Sequence, residues 1–270
     1  MSPTPFEPAS RFTHAELAEI FNAGYEGYYT PFTLDEEAFR FMSTIWDDDL
    51  DASLVALAGG DPIGICKLAI RADRGWIAGI GIAPAHRGRG VGEALMRGVL
   101  DAGRERGLRE VRLEVLVQNQ PALRLYEKLG FERVRDLDVW MLDSVPGDGG
   151  AAQRVHLEQA QERIRRERQE REPWQRADET VAHLDEVEGL EGGGGAVLFR
   201  TKGGRTSLLQ GVAHDEAAAR GLLQALGDTM PLQWLNGPKG DPFNTAIAAL
   251  GGTCAHRQHE LVLRLDPLSS

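Results

Sequence analysis

The sequence predicts a mixed α/β fold present twice: a complete copy, then a diverged one. Three observations carry this. Short strand-like runs alternate with amphipathic helical stretches. A glycine-rich loop, Arg87-Gly88-Arg89-Gly90-Val91-Gly92, stands between a strand and a helix. The element order around that loop recurs, without the loop, near the end of the chain. The chain has 270 residues, room for two modest domains, and 42% of them are hydrophobic, enough for packed cores.

The first half runs in order. Residues 12–24 read as a helix, with Leu17, Ile20 and Phe21 on one face, Thr13 as cap and Glu16 three residues later. Tyr25, Tyr28, Tyr29 and Phe32 crowd the loop that follows, and Asp35 to Trp46 is helical again. Ser53–Ala58 and Ile63–Ile70 form a hairpin about Gly59-Gly60-Asp61, and Asp73-Arg74-Gly75 turns into a third strand, Trp76–Ala83. After the glycine loop, 91–106 is an amphipathic helix closed by Gly107. Val111–Val117 is a strand, Pro121–Leu129 a helix closed by Gly130, and Phe131–Leu142 carries the last strand or strands. The order β, β, β, loop, α, β, α, β requires one parallel βαβ crossover in a mixed sheet.

Ser144 to Gly150 is a joint by composition, so the expected domains are 1–145 and 146–270. Ala151 to about Arg171 reads as a charged, solvated helix of mixed sign. Gly192–Gly195 is a hairpin tip or a flexible joint. Two strands (196–200 and 206–213), a helix from Asp215 to Leu226, a strand (231–236), a helix from Asp241 to Leu250 and a strand (253–265) then follow. Asn119 and Asn236 take equivalent places in this alignment of the halves. The second copy has no glycine loop, since Ala213 passes to Asp215 through one residue.

The loop can bind an anion. Three glycines in five residues let the backbone turn tightly and aim successive N–H groups inward. The following helix presents its positive end to the same space, and Arg87 and Arg89 add charge. A pyrophosphate fits such a site. The Walker pattern is excluded, because no Gly-Lys-Ser/Thr follows, and the alternating glycines do not match the dinucleotide spacing.

The wider pattern resembles the GCN5-related N-acetyltransferase (GNAT) superfamily. Gly79 to Gly92 is similar to its strand and pyrophosphate loop, with the Arg/Gln-x-x-Gly-x-Gly/Ala core at Arg87, Gly90 and Gly92. Asn119 to Phe131 is similar to its second signature, Asn-x-x-Ala-x-x-x-Tyr followed by Gly-Phe. The resemblance covers about residues 10–143, and the tail as a degenerate copy. It implies the acyl-CoA N-acyltransferase fold, acetyl-CoA as cosubstrate, and direct transfer to a primary amine of a small molecule or peptide. It further implies a bulged strand whose N–H groups at Ile80, Gly81 and Ile82 meet the thioester and its arm. The loop residues Arg87, Gly88, Arg89, Gly90, Val91 and Gly92 would hold the pyrophosphate. Asn119 would bond the pantetheine or cap its helix, and Tyr126 would protonate the leaving thiolate. Glu114, spaced as in ribosomal-protein N-terminal acetyltransferases, is the candidate base, with Asp47, Asp48 and Asp49 as rivals. Tyr25, Tyr28, Tyr29 and Phe32 would wall the acceptor pocket or pack the hairpin. A non-catalytic acyl-CoA-binding or scaffolding module is the alternative, and a pocket needing both halves is a third reading.

Composition narrows the partners. A net charge of −11 argues against nucleic acid and anionic membranes and is compatible with a cationic amine. Cys66 and Cys254, far apart, read as free thiols of a reducing cytoplasm, with no disulfide framework. No metal is expected: His256 and His259 would point to opposite faces of one strand, and His86 reads as a rim residue. No apolar run reaches the length of a membrane span, and the N-terminus does not read as a signal peptide. A homodimer is compatible with all of this.

Overall fold

The structure, a computed structural model, describes residues 5–29, 33–145, 152–227 and 231–266. Phe32 and most of the Ser144–Gly150 joint lie outside the described residues. The elements run β1 (Phe6–Pro8), α1 (His14–Gly24), α2 (Glu36–Ile45), β2 (Leu54–Ala58), β3 (Asp61–Arg71), β4 (Arg74–Ile82), α3 (Val91–Glu105), β5 (Glu110–Leu116), α4 (Gln120–Lys128) and β6 (Glu132–Leu142). They continue β7 (Gln153–Val155), α5 (Leu157–Glu167), α6 (Asp178–Ala182), β8 (Glu188–Gly192), β9 (Gly195–Lys202), β10 (Arg205–Ala213), α7 (Glu216–Gln224), β11 (Leu232–Pro238), α8 (Pro242–Ala249) and β12 (Thr253–Arg264).

The chain forms two compact units, neither of them a single stretch. The first takes the residues up to Val115, then Asn119–Val134 and the chain from Glu260 onward; the second takes Leu116–Gln118 and Arg135–His259. In the first unit β1, β2, β3 and β4 pair antiparallel in turn, and β4 pairs parallel with β5. The end of β12 completes that sheet beside β5, with Leu265 N–H donating to Arg109 O at 2.8 Å. One face packs on α1 and α2 through Leu17, Phe21, Phe39 and Ile65; the other packs on α3 and α4 through Leu95, Met96, Val99 and Tyr126.

Local chemistry sets the helix ends. Thr13 and Glu16 close a reciprocal capping box on α1, and the Asp35 carboxylate accepts from Ala38 N–H at 2.8 Å to start α2. The second unit follows the same plan, with β7 to β11 in order, β10 and β11 parallel, and β6 antiparallel to β11. Ile164 and Leu198 pack one face, Leu222, Trp234 and Phe243 the other.

The stretch expected to be one helix from Ala151 to Arg171 is instead β7 followed by α5. Arg154 and Val155 pair with Leu190 and Gly189 of β8, and this sheet contact overrides local helix propensity. At the other end Arg168 turns extended, and its guanidinium reaches Asp178 at 3.1 Å. Gly192 and Gly195 pair across the tip of the β8–β9 hairpin. Cys66 is buried and free; Cys254 is free and half-buried. Among the described residues no helix is long and apolar enough to cross a membrane.

A buried ion pair ties the turn after α2 to β3. Lys67 Nζ lies 2.7 Å from Asp48 Oδ2, with side chains 1% and 0% exposed, and 4.6 Å from the centre of the Phe39 ring. Asp48→Ala should therefore cost about 3–5 kcal/mol in urea unfolding, because it strands a buried ammonium. Adding Lys67→Met should recover most of that loss. Asp73→Ala removes only the exposed partner of Arg109 and should change stability by less than about 0.5 kcal/mol.

Candidate active site

The site begins where two strands part. The register of β3 with β4 shifts between Lys67↔Gly79 and Leu68↔Ile77, leaving Ala78 as an extra residue on β4. The parallel ladder with β5 spans only Arg74–Trp76 against Glu110–Arg112. Beyond it the strands enclose a cleft of about 800 Å³. Ile80, Gly81 and Ile82 line it from β4, Leu113, Glu114 and Val115 from β5. Every lining residue lies between Gly24 and Lys128, within the first unit.

The glycine loop closes one end. Gly88 (φ +73°) and Gly90 (φ +82°) adopt left-handed backbone that side chains resist, and a methyl on either would meet nothing within 4 Å. Gly90 is the N-cap of α3 and gives no side-chain cap, so the first amides of that helix are left for an anion. His86, Arg124 and Lys128 add basic groups to the lining. Arg87 has a different task from the one its charge suggested. Its Nε donates to Ile82 O at 2.7 Å, and its Nη2 donates to Gly24 O at 3.0 Å and Glu26 O at 2.7 Å. The guanidinium thus clamps the loop to the end of α1. Arg89 is exposed.

Three tyrosines and an asparagine close the middle. Tyr25 stacks on Phe21 at 4.3 Å, and its hydroxyl is hydrogen-bonded to the Ile80 backbone. Tyr28 meets Tyr25 edge-on at 5.0 Å and hydrogen-bonds the Asn119 side chain. Asn119 Oδ1 accepts from Ala122 N–H at 3.3 Å, so the same amide caps α4 and faces the cleft. Tyr29 is half exposed at the rim of the cleft. Tyr126 is buried in the cleft wall. Burial pushes its hydroxyl well above the ordinary tyrosine range, and the neighbouring Tyr25 hydroxyl, Cys66 thiol and Tyr28 hydroxyl add to the shift. It therefore holds its proton at neutral pH and can only give it.

Glu114 lines the cleft from β5, and its Oε2 accepts from Trp76 Nε1–H at 2.8 Å. Sequence reading missed this tryptophan; the one available signal was an indole on the strand that precedes the loop. The three aspartates are engaged elsewhere. Asp47 pairs with Arg71 at 2.7 Å, Asp48 with Lys67, and Asp49 with Arg106 at 2.6 Å, and none lines the cleft.

The second unit repeats the geometry and narrows it to a pocket of about 320 Å³. Its parallel ladder also spans three pairs, Thr206–Leu208 against Leu232–Trp234, and the register of β10 shifts one residue past it, at Leu209, as that of β4 shifts two residues past its own, at Ala78. Here Arg176 enters between the strands. Its Nη2 donates to Asn236 O at 3.2 Å on β11, and its carbonyl accepts from Gln210 Nε2 at 2.8 Å on β10. The guanidinium sits 3.7 Å from the centre of the Trp234 ring. The Asp215 carboxylate accepts from Ala218 N–H at 2.8 Å, so the amides that α3 leaves open are already capped on α7. Asn119 and Asn236 are not equivalent: the cap of α8 is Asp241, whereas Asn236, fifth residue of β11, stands where Glu114, fifth of β5, stands. Ile247, whose carbonyl accepts from Gly252 N–H as Tyr126 O accepts from Phe131 N–H, takes the place of Tyr126 in α4. Among the described residues no group of three or more His, Cys, Asp or Glu could hold a metal.

Residues 15–131 match the model of the acetyltransferase (GNAT) family. A putative ribosomal protein bS18-alanine N-acetyltransferase of Bacillus subtilis is 29% identical over 117 residues, 43% of this chain and 75% of that protein. N-alpha-acetyltransferase 30 of Schizosaccharomyces pombe is 31% identical over 131 residues, 47% of this chain and 84% of that protein. In fold, the tandem GNAT protein from the clavulanic acid biosynthesis pathway matches over 99% of this chain and 100% of its own, with a TM-score of 0.68 at 15% identity.

Gly24 and Gly81 bring backbone against backbone where α1 meets β4: a methyl on Gly81 would lie 2.9 Å from the Gly24 carbonyl carbon. Gly81→Ala should therefore destabilise by about 1–3 kcal/mol in chemical unfolding. Gly92→Ala, whose methyl would find ordinary contacts at 3.7 Å, should leave stability unchanged or raise it by up to about 1 kcal/mol.

Proposed function

Since the chain belongs to the acetyltransferase (GNAT) family and is an N-acetyltransferase, we propose that its first unit moves an acetyl group from acetyl-CoA to a primary amine by direct attack in a ternary complex. One observation carries the reading. The uncapped glycine loop, Glu114 and Tyr126 all border a single cleft between parted strands. The loop and the start of α3 would hold the pyrophosphate, with Arg124 offsetting its charge, while Lys128 neutralises Glu93 at 2.6 Å. The amide groups of Ile80, Gly81 and Ile82 would donate to the pantetheine and to the thioester oxygen as charge builds there.

Two protons leave the attacking nitrogen and one reaches the sulfur. Glu114 takes a proton from the acceptor ammonium, directly or through water, so that the amine can attack the thioester carbon. As the C–S bond breaks, Tyr126 gives its hydroxyl proton to the sulfur, the second proton of the attacking nitrogen passes back to Tyr126 through water, and the proton held by Glu114 leaves to solvent. Its raised pKa keeps the proton on the hydroxyl until the thiolate forms.

The acceptor is a primary amine of a small molecule or peptide. Two relatives are named for N-terminal acetylation of proteins, which supports a peptide amine. Tyr25, Tyr28 and Tyr29 would wall its entry to the cleft.

Release of free CoA, followed across a panel of amines and short peptides, tests this. Glu114→Gln should slow kcat at least about 100-fold, and Tyr126→Phe at least about tenfold, each with acetyl-CoA binding kept. Gly90→Asp should abolish acetyl-CoA binding, because it strains a left-handed position and adds like charge to the anion site. Unchanged kcat in Glu114→Gln or Tyr126→Phe removes that residue from its role. Micromolar acetyl-CoA binding retained in Gly90→Asp removes the loop.

A further inference from the structure

Trp76 and Glu114 meet at the point where β4 and β5 separate. Trp76↔Arg112 is the last pair of the parallel ladder, and Glu114, two residues on, is the first side chain of that face of β5 beyond it. The Trp76 indole N–H crosses this opening to Glu114 Oε2 at 2.8 Å. The indole is itself held in place. Trp76 is 3% exposed, and its ring meets Trp46 edge-to-face at 5.3 Å. The Trp46 ring lies in turn 5.7 Å from Lys67 Nζ, in the buried pair with Asp48.

We propose that Trp76 is the positioning residue for Glu114. Its N–H fixes one carboxylate oxygen, bridges the strands where no backbone bonds do, and stabilises the ionised form that accepts a proton. The inference rests on the reading of Glu114 as the base. It assigns the indole a role that packing alone would not require, because a buried phenyl ring would fill much of the same space.

The other charges around Glu114 are Glu110 and Arg112 on its own strand, Arg74 on β4, and Glu260 at the end of β12, whose carboxylate lies 3.4 Å from Arg112. Tyr28 lines the same cleft, and burial raises its hydroxyl pKa, so it stays neutral. None of these groups changes in Trp76→Phe, so a shifted titration reports the indole.

In Trp76→Phe the acid limb of the kcat/KM profile should move up by at least about half a pH unit, and kcat at pH 7 should fall at least about threefold. Acetyl-CoA binding should stay within about twofold of wild type. A second measurement needs no tryptophan variant. The Trp76 indole ¹⁵N–¹H resonance, assigned by triple-resonance methods, should shift as the carboxylate titrates and should stop shifting in Glu114→Gln. An unmoved acid limb, or an indole signal whose titration persists in Glu114→Gln, overturns the positioning role while leaving the base intact. Turnover retained in Glu114→Gln overturns both.

Discussion

The parallel ladder between β4 and β5 stops after three residues, and the functional architecture follows from that stop. One extra residue, Ala78, throws β4 out of register with β3 and turns its backbone away from β5. Backbone groups that a continuing ladder would consume are left facing a cleft. The two neighbours of that backbone are correspondingly small or flat: Gly24 where α1 ends, and the Tyr25 ring beside Gly79 and Gly81. Arg87 completes the arrangement by bonding three carbonyls across β4 and the end of α1.

The second unit parts its strands in a similar way. It keeps the same short ladder and the same one-residue shift. What differs is occupancy and termination. Arg176 bridges the parted strands, and the Phe243 ring packs onto Gly211. Asp215 satisfies the helix amides with the chain's own carboxylate, and Asn236 and Ile247 stand where the first unit has Glu114 and Tyr126. The repeat therefore persists as fold, with different groups at the places that the loop, Glu114 and Tyr126 hold in the first unit.

Much of this was legible in the sequence because it is local. The Thr13–Glu16 box, the helix starts at Asp35 and Asp215, the glycine turns and the loop before α3 each depend on a few adjacent residues, and the structure places them as read. The family resemblance of the first half and the repetition of the fold were legible too, because motif order survives divergence. The missing parts are long-range. β1 and β7 are three-residue strands that exist only through their partners. The engagement of Asp47, Asp48 and Asp49 depends on cations 19 to 57 positions away in sequence. The misaligned Asn236 shows a further limit: matching residue types suggested an equivalence that strand register overturned.

The central claim is that one cofactor site survives, in the cleft of the first unit. Calorimetric titration of the full chain with acetyl-CoA counts sites directly. The account predicts one molecule bound per chain; two per chain would mean that the Arg176-filled slot of the second unit opens to the same ligand, and none would remove the glycine loop as its cradle.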